Sequence, residues 1–229
     1  MLSAPATRAS ADATSSEFAY EALAHGISTC RLRPGTPIRE RSDAARLGMS
    51  RTPFREALHR LELEGLVVRR PKRGTSVAPL DAEDIREHMV LREAVEVTMA
   101  QRLIAGGVPD LSLVEETLAE QRQAMGANEV VDFLEADEGF HLLLVQLAGN
   151  SAAVETARRA WLHVNRARYL VPLGAAAMAT ALSDHEDILR ALRAGDVDGV
   201  RWAIRRHLEE PLDNLLTELR GRHPEAFST

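Results

Sequence analysis

The sequence lacks the features that mark secreted and membrane proteins. It contains one cysteine, Cys30, so no disulfide can form within the chain, and a single free thiol fits a reducing compartment. No run of 18 uninterrupted apolar residues occurs, which argues against a membrane-spanning helix. Residues 1–14 are small and polar, without the apolar stretch of a signal peptide, and are interpreted as a disordered tail. These absences predict a cytoplasmic protein with no membrane partner.

Lysine is nearly absent, because the chain has 27 Arg and one Lys, and the net charge of −6 is unevenly distributed. Residues 1–80 hold 13 Lys+Arg against 8 Asp+Glu, a net charge of +5. Residues 81–229 hold 15 against 26, a net charge of −11. Such asymmetry indicates a basic part that meets phosphate and an acidic part that does not.

The N-terminal part alternates helical and β-type patterns. Apolar periodicity and turn residues predict helices at about 16–31, 40–47 and 51–64 and short strands at 66–70 and 75–78. Ser50 has the chemistry of an N-cap for the third helix, and Gly65 that of the residue that ends it. A short helix, a tight turn, an Arg-rich helix and a basic hairpin, in that order, predict a winged helix-turn-helix over residues 15–79.

The remainder of the chain has only helical periodicity. It predicts six helices, at about 82–105, 111–126, 129–148, 151–171, 175–194 and 196–220. Residues 80–229 are therefore predicted to form an all-helical domain, which is interpreted as an effector-binding and dimerisation domain. The fold class is mainly α, an N-terminal winged helix-turn-helix followed by an all-α antiparallel helical bundle.

One segment of the N-terminal part is specific enough to suggest a family. The run Ser50-Arg51-Thr52-Pro53-Phe54-Arg55-Glu56-Ala57-Leu58, with Gly65 and Arg73-Gly74 after it, resembles the GntR family of bacterial winged helix-turn-helix repressors. The resemblance covers most of residues 17–78 and implies a dimer that binds a palindromic double-stranded DNA operator. It further implies DNA contacts by the following residues: Arg41, Ser50, Arg51, Thr52, Arg55 and, at the minor groove, Gly74.

Physical chemistry supports these assignments independently. A guanidinium can bond both major-groove acceptors of a guanine, and hydroxyls at a helix N-terminus suit phosphate. Lys72 and Arg73 would add salt-dependent attraction to phosphate. The alternative is an exposed Arg-rich helix with no ligand, which would explain the charges but not the ordered cap, helix end and basic hairpin.

Four ionisable residues lie on apolar helix faces in the C-terminal half. Asp137 and His141 are four residues apart on one predicted helix, while His185 and His207 lie on two others. Burying a polar group without a partner costs about 2–7 kcal/mol, and convergence on one divalent metal ion would offset that cost. Three His and a carboxylate suit zinc, with nickel, manganese or iron as alternatives. Each His taken singly could instead be an ordinary core residue.

The helical half also resembles the FCD branch (FadR C-terminal domain type) of the GntR family. In that branch an Asp-x3-His pair and two later His bind a metal at the bottom of an effector pocket, and Asp137, His141, His185 and His207 match this pattern. Fatty-acyl-binding members lack the complete set, so the resemblance argues against a long-chain acyl effector.

The sequence therefore predicts a metabolite-responsive, dimeric transcriptional regulator, a repressor, and not an enzyme. Its expected effector is a small carboxylate metabolite that coordinates the metal. Arg92 could clamp the effector carboxylate or could instead pair with Glu96 one turn later. His163, Asn165 and Tyr169 are further candidates for the pocket lining. A metal-dependent hydrolase and a regulator with a purely structural metal are the alternative functions.

Overall fold

The computed structural model describes residues 15–72 and 74–227, and most of them are helical. The predicted tail at 1–14 lies outside the described residues. Among these residues, no helix is both long and apolar enough to cross a membrane. The fold class is the one predicted, a small N-terminal sheet-and-helix unit followed by a helical bundle.

Three helices and three strands form the N-terminal unit. In chain order they are α1 (Ser15–Ser28), β1 (Pro37–Ile38), α2 (Glu40–Arg46), α3 (Arg51–Leu63), β2 (Val67–Arg70) and β3 (Gly74–Val77). Their buried apolar faces share one core, which includes Leu23, Ile27, Phe54, Leu58, Leu61, Leu66 and Val77. Because the apolar stripe of α3 faces this core, its arginines remain on the outside.

The ends of α3 follow from two residues. Ser50 occupies the N-cap position with an extended backbone, although its hydroxyl makes no capping hydrogen bond. Gly65 has φ +75° and follows the last helical turn. Its N–H donates to Glu62 O, and the Leu66 N–H donates to Leu61 O, the paired bonds of a Schellman motif.

The sheet has one strand more than the predicted hairpin. β3 lies between β1 and β2, and both pairings are antiparallel. Pro37 and Ile38 pair with Ser76 and Thr75. β1 was missed because two residues are too few to show alternation.

Seven helices form the C-terminal part. They are α4 (Ala82–Gly106), α5 (Ser112–Ala127), α6 (Val130–Leu147), α7 (Ser151–Arg168), α8 (Ala175–Ala194), α9 (Val197–Glu209) and α10 (Leu212–Arg222). The predicted helix at 196–220 was wrong as a single element, since it breaks at Glu210–Pro211. Pro211 lacks an N–H and would clash with the preceding turn inside a continuous helix.

The helical core places the functional residues deep in the bundle. α4 packs on α7 and α9, α5 on α6, and α8 on α9. Buried side chains from these helices, including Met99, Leu118, Phe140, Leu144, Ile188, Leu192, Val200 and Ile204, form one continuous cluster. Polar residues within this cluster are thus cut off from water.

Gly65→Ala should lower the free energy of unfolding by about 1–2 kcal/mol, because a side chain disfavours the left-handed conformation. Gly126→Ala is the matched control, since Gly126 is exposed in α5 with open space around it. That change should stabilise by about 0.5–1 kcal/mol. Urea unfolding measures both, and destabilisation by both variants would contradict the explanation.

Candidate metal centre and DNA-facing helix

The four predicted metal ligands meet in the middle of the bundle. α6 supplies Asp137 and His141 from one face, α8 supplies His185, and α9 supplies His207. All four side chains are buried, and their ligand atoms lie within 4.8 Å of one another. Residues up to 70 positions apart in sequence thus form one compact polar cluster.

The three imidazoles point the same nitrogen at a common centre. His141 Nε2 lies 3.1 Å from His207 Nε2, and His185 Nε2 lies 3.2 Å from each of them. Two nitrogens bound to one ion at about 2.1 Å are roughly 3.0–3.4 Å apart for octahedral to tetrahedral angles. The observed spacing therefore fits a shared metal ion.

Outer partners fix which nitrogen carries the hydrogen in two of the three rings. His141 Nδ1 lies 2.7 Å from the Glu96 carboxylate, and His185 Nδ1 lies 2.7 Å from Gln121 Oε1. The Gln121 amide donates its own N–H to Ala136 O, so its oxygen faces the ring. His207 Nδ1 is 3.5 Å from Asp184 Oδ2. For His141 and His185 these acceptors place the hydrogen on Nδ1 and leave the Nε2 lone pair facing inward.

Asp137 completes the cluster. One carboxylate oxygen accepts from Arg168 Nη1 at 2.6 Å. The other, Oδ1, is buried without a hydrogen-bond partner and lies 3.6 Å from His185 Nε2. An unpartnered buried carboxylate oxygen beside three imidazole lone pairs is the donor set that a divalent cation requires.

The pKa shifts agree with neutral rings and ionised carboxylates. Burial lowers the pKa of His141 and holds that of His185 well below its ordinary value. Burial alone would raise the pKa of Glu96, but the Arg92 guanidinium and the hydrogen bond from His141 bring it to about 2. Asp137 is likewise buried, yet the Arg168 guanidinium holds its pKa below the ordinary range.

A cavity of about 440 Å³ adjoins the cluster. Asp137 and His207 form part of its wall, together with Arg92 and Arg168. The remaining lining is largely apolar and includes Leu134, Val164, Val171, Leu208, Leu212 and Leu215. Its size lies within the range of small-molecule sites, roughly 300–1,000 Å³.

Arg92 makes the ion pair considered for it and keeps one nitrogen without a partner. Its Nε donates to Glu96 Oε1 at 2.9 Å, so the predicted ion pair is present. Its Nη2 is buried without a partner, and its guanidinium lies 3.5 Å from the centre of the Trp161 ring. Arg92 is therefore held in place by one nitrogen while another is available beside the cavity.

Several residues of this site were not predicted. Arg168, Gln121 and Asp184 contact the ligands but come from segments with no metal-binding spacing. Gln121 did have a signal, because it is a polar residue on the apolar stripe of α5. Conversely, the candidates His163, Asn165 and Tyr169 do not line the cavity: Asn165 donates to Glu138, and His163 faces the N-terminal unit.

The predicted DNA-contacting residues lie on one exposed face. Arg41 on α2 is exposed, as are Ser50, Arg51, Thr52 and Arg55 at the start of α3. Arg55 donates two hydrogen bonds to Glu40 Oε2, at 3.0 and 3.2 Å, and Arg51 lies 3.7 Å from the same oxygen. Glu40 thus draws both guanidinium groups to the same side of the helix.

The turn between β2 and β3 projects from this unit. Lys72 and Gly74 are exposed and have positive φ values of 64° and 79°. A Cβ at Gly74 would meet nothing within 4 Å, so its backbone is open to approach. Arg73 lies outside the described residues.

Family models match both parts of the chain. Residues 15–77 match the model for bacterial regulatory proteins of the gntR family, and residues 87–210 match the FCD domain. The chain is 32% identical over 211 residues to the HTH-type transcriptional repressor RspR of Escherichia coli (strain K12), covering 91% of this chain and 92% of that protein. It is 29% identical over 198 residues to the Nta operon transcriptional regulator of Aminobacter aminovorans, covering 86% and 92%.

Solved structures agree with this family. A GntR transcriptional regulator from Rhodococcus sp. RHA1 has a TM-score of 0.75 at 25% identity and covers 88% of this chain and 97% of its own. E. coli McbR/YncC has a TM-score of 0.81 at 21% identity, covers 90% and 98%, and shows the shared fold. The chain belongs to the GntR family, in the branch that carries an FCD domain, and is a DNA-binding transcriptional regulator.

Arg51→Ala should weaken binding to a DNA site selected with the unaltered protein by about 1–3 kcal/mol if Arg51 contacts a base. Binding to random DNA should change far less. Arg190→Ala is the control, because Arg190 is equally exposed but lies on α8. Fluorescence anisotropy measures both DNAs, and equal losses on the two would reassign Arg51 to phosphate contact.

Proposed function

We propose that the protein is a metal-dependent repressor that binds a two-fold symmetric operator as a dimer and responds to a small organic acid. The four-residue cluster would hold one divalent ion, with zinc favoured and nickel, manganese or iron as alternatives. When bound, this ion would supply a Lewis-acidic position for the carboxylate of the acid. Binding of the acid would then change the spacing of the two DNA-binding units.

The single observation that carries this proposal is the orientation of the buried imidazoles. Nδ1 of His141 and of His185 donates a hydrogen bond to an outer acceptor. The lone pairs are therefore on the two Nε2 atoms, which lie 3.2 Å apart. Converging lone pairs repel, and burial leaves them without hydrogen-bond donors from the protein. A cation at their centre would remove both penalties at once.

Two arginines support an acidic effector. Arg168 lies against Asp137, and Arg92 offers its unpartnered Nη2 beside the same cavity. A buried cationic donor without an acceptor is costly, whereas a carboxylate would satisfy it through charge-assisted hydrogen bonds. The apolar lining allows a short carbon skeleton behind that carboxylate.

The two alternatives find less support. A hydrolase needs a group beside the metal to move protons, and the nearby Glu138 instead has its carboxylate bonded to Asn165 Nδ2 at 2.7 Å. A purely structural metal would leave Nη2 of Arg92 buried without a hydrogen-bond acceptor. Removal of the metal by a chelator distinguishes these cases. Loss of a structural ion would lower only the thermal stability, whereas a hydrolase would lose turnover.

His207→Ala should lower zinc affinity by more than the 10- to 100-fold that is typical of losing an outer partner. His59→Ala is the control, since His59 is an exposed histidine on α3. Competition with a chromogenic chelator measures the affinity. Unchanged zinc binding by the His207 variant would remove this residue from the ligand set.

Arg92→Gln should weaken binding of the effector acid about 10- to 100-fold, the loss of one hydrogen bond between charged groups. Candidate acids would be titrated calorimetrically into the zinc-loaded protein, and the best binder would then be tested for release of the selected DNA. Arg122→Gln is the control, because Arg122 pairs with Glu186 on the surface. The metal content of each variant shows whether the cluster is intact. If no acid changes DNA affinity with metal present, the effector proposal fails.

A further inference from the structure

α7 presents two different faces to the two parts of the molecule. Trp161, Val164 and Arg168 lie on the face toward the cavity, where Val164 and Arg168 form part of its lining. Arg159, His163 and Arg166, spaced by four and three residues, lie on the face toward the N-terminal unit. One rigid helix is thus shared by the effector cavity and the DNA-binding unit.

The face toward the N-terminal unit contacts the end of α3, the Arg-rich recognition helix of the helix-turn-helix. His163 Nε2 lies 2.9 Å from the carbonyl oxygen of Glu64, the C-cap of α3. Arg159 Nε lies 3.8 Å from the Glu64 carboxylate. Arg166 Nη2 donates to the carbonyls of Ala78 and Pro79, where the N-terminal unit joins α4. His163 is the member of this face that contacts the helix backbone itself.

Both ring nitrogens of His163 face oxygen atoms. Nδ1 lies 2.8 Å from Asp84 Oδ2, and Nε2 faces the Glu64 carbonyl, which can only accept. Each of these oxygens can accept a hydrogen bond from the ring nitrogen that faces it. His163 is 6% exposed, so little water competes for these bonds.

Asp84, His88 and His163 also have the composition of a metal site, but their geometry opposes one. The two imidazole rings are stacked, with centroids 3.8 Å apart and planes 6° from parallel. Lone pairs in parallel planes do not converge on a single ion. At 2.8 Å, the gap between His163 Nδ1 and Asp84 Oδ2 suits a hydrogen bond and is too short for an ion between them.

We infer that His163 is the positioning residue that sets the orientation of the recognition helix relative to the helical bundle. It joins three segments at one point: α7, the end of α3 and the first turn of α4. A displacement of α7 at its cavity face therefore also moves His163, which contacts the end of α3. The part of this inference that concerns signalling rests on the proposed effector function, whereas the positioning of α3 does not.

The test compares His163→Ala with His223→Ala. His223 is a matched control, because its ring also lies between a carbonyl, Leu170 O at 3.0 Å, and a carboxylate, Glu225 at 3.1 Å, but away from α3. Affinity for the selected DNA is measured with and without the acid, alongside acid affinity and zinc content. Circular dichroism checks the fold of both variants.

His163→Ala should change DNA affinity at least about fivefold without acid, the lower end of typical allosteric coupling. It should also reduce the acid-induced change to less than twofold, with zinc content and acid affinity preserved. His223→Ala should leave both DNA measurements within twofold. DNA affinity and acid response within twofold of the unaltered protein in His163→Ala would overturn the inference.

Two further outcomes are decisive. If the unaltered protein responds to no acid, the proposed effector function fails, and acid-free DNA affinity alone decides the role of His163. If His163→Ala does not fold, His163→Gln replaces it. The glutamine amide N–H can reach the Glu64 carbonyl, but the side chain lacks the second ring nitrogen that faces Asp84. That variant should shift DNA affinity in the same direction by a smaller factor, and no shift would reject the role.

Discussion

The hydrogen positions of the buried histidines are the constraint on which the helical half depends. Glu96 and Gln121 accept hydrogen bonds from Nδ1 of His141 and His185. The Nε2 atoms of the two rings therefore face each other with their lone pairs. This arrangement comes from four helices, and each contributes a partner that would be costly to bury alone. Packing and the geometry of the cluster are therefore linked: the apolar packing that holds the helices together also forces these nitrogens to converge.

Glu96 connects the histidine cluster to the cavity. One of its oxygens orients His141, and the other holds Arg92 beside Trp161. Asp137 makes a similar connection, since one oxygen faces the histidines and the other binds Arg168. Both cavity arginines are thus attached to carboxylates of the cluster. A ligand that pairs with either arginine acts on the same network that holds the histidines.

Much of this arrangement was predictable because its information is local. Helical periodicity places Asp137 and His141 on one face, and the Ser50 to Leu58 segment marks the recognition helix. The break at Pro211 was missed, although a proline within a helical pattern signals the end of a helix. The pairing of Gln121 with His185, of Arg168 with Asp137 and of His163 with Glu64 was not predictable. Each joins segments distant in sequence, so tertiary packing alone determines which side chains meet.

One hydrogen bond between the two parts has the free energy that allosteric regulation typically requires. A coupling of about 1–3 kcal/mol changes DNA affinity 5- to 150-fold. One hydrogen bond to a charged group contributes about 1.5–3 kcal/mol, so gain or loss of a single such bond can supply the whole effect. The contact of Arg166 with the Ala78 carbonyl is a bond of this kind. Because α7 is one continuous helix, a small shift at its cavity face can change the length and angle of the bonds that it makes to the N-terminal unit.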